Sequence, residues 1–119
     1  MIAGCRGQIG KSLTERLINE LGADKVIATD LVEEDNSINC KYTQLDVVDG
    51  ENYNRIVKEN KVDYIVHLAG ILSSLGEKHP QLAFDVNVIG AKNAMDIAKE
   101  NECQLFIPST IGAFGGDVF

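Results

Sequence analysis

Positive charge is scarce in this chain: 11 lysines and arginines stand against 18 aspartates and glutamates, a formal net charge of −7. A nucleic acid or an anionic membrane surface needs a basic face on its partner, and this balance argues against both. There is no apolar run of about 20 residues, the length that crosses a bilayer. The opening residues do not read as a signal peptide. Cysteine is sparse and scattered, at Cys5, Cys40 and Cys103, with no C-x-x-C. An odd, widely spaced set indicates neither a disulfide framework nor a zinc site. The expected compartment is therefore the reducing cytoplasm, with no metal. What remains is ordinary for a globular domain: 119 residues, 45% hydrophobic and 24% charged, enough for one domain with a modest core.

The organising stretch is Gly4-Cys5-Arg6-Gly7-Gln8-Ile9-Gly10, between the apolar Met1-Ile2-Ala3 and a helical pattern. Glycines at this spacing describe a strand–turn–helix junction at which a ligand can approach the main chain closely. A helix starting just beyond supplies free N–H groups and a partial positive charge, a seat for phosphate. Asp30 lies twenty residues past Gly10, at the end of the strand-like Val26-Ile27-Ala28-Thr29. An acid there is placed to hydrogen-bond a ribose 2′-hydroxyl and favours NAD over NADP. The competing P-loop pattern, which would end at Gly10-Lys11-Ser12, lacks its first glycine because position 5 is Cys5. Cys5 reads as a small loop filler, the alternative being a somewhat acidic thiol near the helix N-terminus.

In chain order, a short strand at Met1–Ala3 is followed by a helix over 8–21, with Ile9, Leu13, Leu17 and Leu21 at helical spacing and Gly22 as its C-cap. A second strand spans 25–29 and a third 42–45, ending at Asp46, which either meets the adenine end of a nucleotide or serves as a cap or turn residue. A helix is expected over 49–60, with Tyr53, Ile56 and Val57 inward. Strand four covers 62–68 and closes on Ala69-Gly70, with His67 read as a packed, hydrogen-bonded core residue and not a base. After a loop over 71–79 carrying Ser73 and Ser74, a long helix runs from Pro80 to about Asn101, its apolar positions including Leu82, Val86, Ile89, Met95 and Ile97. Asn87, Gly90 and Asn93 are poor helix formers, which predicts close packing or a buried hydrogen bond there. Strand five spans 104–108. Strands alternating with crossover helices give an α/β, Rossmann-type doubly wound parallel sheet with strand order 3-2-1-4-5.

Gly4-x-x-Gly7-x-x-Gly10, Asp30, His67-Leu68-Ala69-Gly70, Asp85-Val86-Asn87-Val88-Ile89-Gly90 and Pro108-Ser109-Thr110 together resemble the extended short-chain dehydrogenase/reductase superfamily of NAD-dependent epimerases and dehydratases. Within it, Gly7–Gly10, Leu72-Ser73-Ser74-Leu75-Gly76-Glu77 and Pro108–Gly115 are most similar to the short-chain-type L-threonine 3-dehydrogenases. The resemblance implies NAD as cofactor and oxidation of L-threonine to 2-amino-3-oxobutanoate. It implies that Gly4, Gly7 and Gly10 line the pyrophosphate, that Gln8 and Ile9 between them also bind the cofactor, and that Asp30 holds the adenosine ribose. Asp46 would lie near adenine, and Leu68, Ala69 and Gly70 beneath the cofactor. Asn87 would anchor the site, Ser73 would contact substrate, and Thr110 would stand at the catalytic Ser/Thr position. Helices like the one from Pro80 often mediate homodimers in this superfamily.

The resemblance also implies a tyrosine base on a Tyr-x-x-x-Lys helix. Tyr42, Tyr53 and Tyr64 are followed four residues on by Asp46, Val57 and Leu68, so none of them carries that motif. Residues 1–119 therefore read as a partial NAD-binding Rossmann domain, the amino-terminal portion of a dehydrogenase, with strand 1 clipped and the substrate lobe absent. Two alternatives stand beside it: a fragment of a sugar-nucleotide epimerase or dehydratase, and a non-catalytic NAD-binding module.

Overall fold

The computed structural model describes residues 1–70 and 77–108. Five strands form one parallel sheet in the order β3-β2-β1-β4-β5. They are β1 (Ile2–Ala3), β2 (Ile27–Asp30), β3 (Lys41–Gln44), β4 (Tyr64–His67) and β5 (Gln104–Phe106). The central strand is the shortest, yet its backbone is paired on both sides. Ile2 lies opposite Ala28 on one edge and Val66 on the other. The ladder continues past its ends: Val66 N–H donates to Met1 O at 2.9 Å, and Leu68 N–H donates to Ala3 O at 2.8 Å. Strand bounds differ from the sequence expectation by one or two residues, because apolar residues such as Val26 and Val62 stay in the core after ladder pairing ends.

Alternate residues of β1 face opposite layers, as a pleated strand requires. Ile2 joins Cys5, Val26 and Ala28 beneath helix α1 (Gln8–Leu21). Ala3 joins the larger core, in which Leu45, Val47 and Ile65 pack against Tyr53, Ile56 and Val57 of helix α2 (Gly50–Glu59). The same core takes Ala94, Ile97 and Ala98 from a later helix. Asp49 caps α2, its carboxylate accepting the Asn52 N–H at 3.1 Å.

Two helical faces depart from the aliphatic periodicity. The stripe Ile9, Leu13, Leu17 and Leu21 is not the inward face of α1: Gly10 and Thr14 are buried, Leu17 and Ile18 reach the core, and Ile9 is 67% exposed. The cause is contact at the start of the helix. A Cβ on Gly10 would stand 2.2 Å from Gly4 O, so only glycine lets the first turn rest on the preceding loop, and that contact sets the rotation of the helix.

The expected single helix from Pro80 is divided. Helix α3 (Pro80–Phe84) leads into a π-helical turn at Asp85–Ile89 and then helix α4 (Gly90–Glu100). Ile97 is buried as expected, whereas Leu82 and Met95 face outward. The residues that hold α4 down are the poor helix formers. Asn93 Nδ2 donates to Val47 O at 2.9 Å and to Val48 O at 3.1 Å. A Cβ on Gly90 would meet Val47 Cγ2 at 2.7 Å.

His67 is buried at the end of β4. Its Nδ1 lies 2.9 Å from Tyr53 Oη, and the two rings stack with centroids 5.9 Å apart. Nε2 is buried without a partner among the described residues. Burial draws the imidazole pKa down from 6.5 to about 4, so it is neutral at pH 7, a core group in the larger layer.

Replacing Gly90 with alanine raises intrinsic helix propensity by about 1 kcal/mol but forces the added methyl onto the stiff Val47 side chain. The expected outcome is a net loss of about 1–3 kcal/mol, read by urea unfolding of the chain; a rise in stability would show that Val47 yields freely. For His67, the folded-state pKa lies below the unfolded value. Its contribution is therefore fully present above pH 6.5 and is lost as pH falls toward 4. Unfolding free energy should drop by about 2 kcal/mol between pH 6.5 and 5, and His67→Gln should flatten that slope.

Candidate functional site

The carboxyl ends of the strands carry a groove of about 300 Å³. Its floor is the loop after β1. Gly4 has φ +90°, and a Cβ there would stand 2.7 Å from Ala69 N, so the loop passes directly against the end of β4. The bend is fixed by bonds to β2: the N–H groups of Gly4 and Cys5 both donate to Thr29 O, at 3.0 and 3.1 Å. Gly7 is the N-cap of α1, and no side chain caps that first turn. Its own Cβ position is open, the nearest atom being Gly4 O at 3.7 Å. The helix N-terminus is thus unshielded and no acid stands in its first turn, an arrangement that favours an anion.

Asp30 ends β2 at the mouth of the groove. Its Oδ2 accepts the Arg6 N–H at 2.9 Å and its Oδ1 accepts the Leu31 N–H at 2.8 Å. Each oxygen keeps lone-pair capacity for a further donor. Asp46 lines the same groove, and its Oδ1 accepts the Val48 N–H at 3.1 Å, so it holds the turn before α2 while bordering the groove. Leu68, Ala69 and Gly70 form the opposite wall.

The fold thus brings Gly4, Gly7, Asp30, Asp46, Leu68, Ala69 and Gly70 to one place. Gly10 does not line the groove; it is buried against Gly4 O. Gln8 and Ile9 open the helix but are exposed beside Ser12 and Leu13, away from that wall. Asn87 sits in the π-helical turn, its Oδ1 3.3 Å from where a Cβ on Gly70 would be. Ser73 and Thr110 lie outside the described residues. Five lining residues were not singled out for the site from the sequence: Arg6, Leu31, Leu45, Val47 and Val86. Arg6 had a signal, its place inside the glycine loop. Val47 and Val86 look like ordinary core residues in sequence, and only the crossing of the π-helical turn over the sheet edge brings Val86 to the groove.

Cys5 is loop filler: it is buried, and burial followed by the charges of Asp30 and Asp35 pushes its thiol up to about 12. His67 faces Tyr53 and the larger core, which excludes it as a base in the groove. Among the described residues no cluster of His, Cys, Asp or Glu could hold a metal ion, and no helix is long and apolar enough to cross a membrane.

Comparison with known proteins agrees with this geometry. The profile of the NAD dependent epimerase/dehydratase family matches residues 1–118. An uncharacterized epimerase/dehydratase from Staphylococcus saprophyticus is 40% identical over 97% of this chain and 37% of its own length. The human protein named inactive mitochondrial L-threonine 3-dehydrogenase is 37% identical over 97% of this chain and 51% of its own. Among solved structures, a monomeric L-threonine 3-dehydrogenase from a metagenome, in apo form, superposes with TM-score 0.92 at 45% identity, covering 98% of this chain and 37% of that one. The Clostridium difficile L-threonine dehydrogenase gives TM-score 0.89 at 40% identity, covering 96% and 37%. A UDP-glucose 4-epimerase, 21% identical with TM-score 0.82, shares the fold. The chain spans between about a third and a half of the length of these relatives. With a five-stranded parallel sheet in this order and a glycine loop under the end of β4, the chain belongs to the NAD dependent epimerase/dehydratase family, whose cofactor is NAD.

Proposed function

We propose that these residues are the NAD-binding portion of an oxidoreductase of the L-threonine 3-dehydrogenase type, acting on the 3-hydroxyl of L-threonine. The observation that carries it is the loop at Gly4. Its backbone lies where no Cβ fits, against Ala69, while the Asp30 carboxylate holds the Arg6 N–H at the rim. A cradle of bare backbone beside an uncapped helix N-terminus fits a pyrophosphate, and a carboxylate at the end of β2 fits a ribose diol. The L-threonine assignment is favoured over a sugar nucleotide by the higher identity to threonine dehydrogenases, 45% and 40% against 21% for the UDP-glucose epimerase.

In this proposal Gly4, Gly7 and the uncapped main-chain N–H groups that open α1 at Gln8 and Ile9 face the pyrophosphate, while Gly10, buried behind them, lets the first turn rest on Gly4 O. Asp30 accepts from the ribose hydroxyls. Asp46 and Val86 border the adenine, and Leu68, Ala69 and Gly70 form the surface beneath the dinucleotide. Bound NAD supplies a hydride acceptor for the alcohol carbon. Asn87 buttresses the wall at Gly70, Ser73 contacts the substrate, and Thr110 donates to or accepts from the reacting oxygen. The hydroxyl proton must pass to a base. None of Tyr42, Tyr53 and Tyr64 has a lysine four residues on, so these 119 residues contribute binding and orientation.

The purified chain should bind NAD weakly, as read by calorimetric titration. Asp30→Ala should cost at least about tenfold in affinity, or about 1.4 kcal/mol, since it removes the ribose acceptor and frees the Arg6 N–H. An unchanged affinity in that variant would overturn the placement of the ribose. The chain on its own should not reduce NAD with L-threonine, and measurable turnover would show that the proton acceptor lies within residues 1–119.

A further inference from the structure

Two carboxylates hold the two halves of Arg6. Asp30 takes its main-chain N–H at 2.9 Å, and Asp35 takes its guanidinium Nε at 3.0 Å. Asp35 is itself fixed. Its Oδ1 accepts from the Ser37 N–H at 3.0 Å and from the Ser37 hydroxyl, which leaves Oδ2 to the arginine. The bonds from Ser37, and after them Arg6, hold the Asp35 carboxyl below the usual carboxylate range, so it is ionised at neutral pH. The Asp35 side chain is 13% exposed and that of Arg6 44%, so the acid is the anchored partner and the arginine the free-ended one.

Arg6 stands on the wall between two cavities. One is the groove with Asp30; the other, about 410 Å³, lies between α1 and the segment joining β2 to β3, bordered by Lys11, Asp35 and Asn39. The ion pair ties the guanidinium to the acid of the second cavity. The main chain of the same residue touches the carboxylate that faces the proposed ribose site. An unrestrained guanidinium on this stem is therefore within one side chain's length of that site.

We propose that Asp35 sets the cofactor preference of the groove by tethering the Arg6 guanidinium away from the edge where an adenosine 2′-substituent would sit. This rests on the nucleotide-binding proposal above. A 2′-phosphate brought beside Asp30 meets a like charge. The side chain able to neutralise it with a planar pair of donors is already engaged by Asp35. Discrimination against NADP thus has two parts: repulsion from Asp30, and withdrawal of the one guanidinium that lines the groove.

The test is paired titration of the full 119-residue chain with NAD and with NADP, for the unaltered protein, Asp35→Asn, and Asp35→Asn combined with Arg6→Ala. Asparagine can still accept from Ser37 but has no charge to hold the arginine. An exposed pair of this kind is worth up to about a fivefold change in an equilibrium. NADP affinity relative to NAD should accordingly rise several-fold in Asp35→Asn, with NAD affinity itself changed less than about twofold. The added Arg6→Ala should abolish the gain. If Asp35→Asn unsettles the turn, Asp35→Ser is read in the same way. An unchanged NADP-to-NAD ratio in a folded, NAD-binding variant overturns the tether. A gain that persists without Arg6 overturns it too, leaving simple removal of negative charge. Folded protein that binds neither dinucleotide in any form overturns the nucleotide-binding proposal, and the tether with it.

Discussion

Everything at the carboxyl edge of this sheet depends on one close approach, the backbone of Gly4 against the start of Ala69. That contact needs an absent side chain and a positive φ, and it is secured by two N–H bonds to Thr29 O. It draws the ends of β1, β2 and β4 to one point. Gly10 then rests on the carbonyl of Gly4, so the direction in which α1 leaves the sheet follows from the same turn. The groove is what remains between these fixed edges. Any bulk added at Gly4 or Gly10 would act first on backbone packing and only afterwards on a ligand.

The second layer is attached by different means. The helix α4 carries few large side chains inward: Gly90, Ala94 and Ala98 let it lie close, and Asn93 binds it to the carbonyls of Val47 and Val48. Close approach with polar anchoring is specific about register in a way that aliphatic packing is not. The π-helical turn just before it carries Val86 to the groove and Asn87 to the wall at Gly70. An inserted turn of this kind re-aims the residues it carries and occurs frequently at functional sites.

Charge at the rim follows the same economy. The chain is acidic overall, and the acids nearest the groove each hold a neighbouring backbone or side-chain group. Asp30 holds the loop, Asp46 holds the turn before α2, and Asp35 holds Arg6. Each is therefore a geometric part of the edge as well as a negative charge on it. In the larger core the imidazole of His67 is kept neutral by burial, and its contact with Tyr53 places it among structural groups.

The sequence by itself determined the order of strands and helices, apart from the π-helical turn that divides the helix after Pro80, together with the sheet topology, the glycine loop and the acid at the end of β2. These rest on local signals: runs of β-branched residues, glycines at a turn, a C-cap at Gly22, proline in a first helical turn. The inward face of α2, with Tyr53, Ile56 and Val57, was legible too, but tertiary structure decided which faces of α1 and of the helices after Pro80 turned inward. Aliphatic spacing pointed to Ile9 and Leu21 on α1 and to Leu82 and Met95 later, yet all four are exposed. Helix rotation was set by where backbones approach most closely, at Gly10 and Gly90, and such contacts leave no periodic trace. The same holds for Val86, whose place at the groove comes from a distant segment crossing the sheet edge. Hydrophobic patterning records what is removed from water, and a residue reaches a site because of what its backbone packs against.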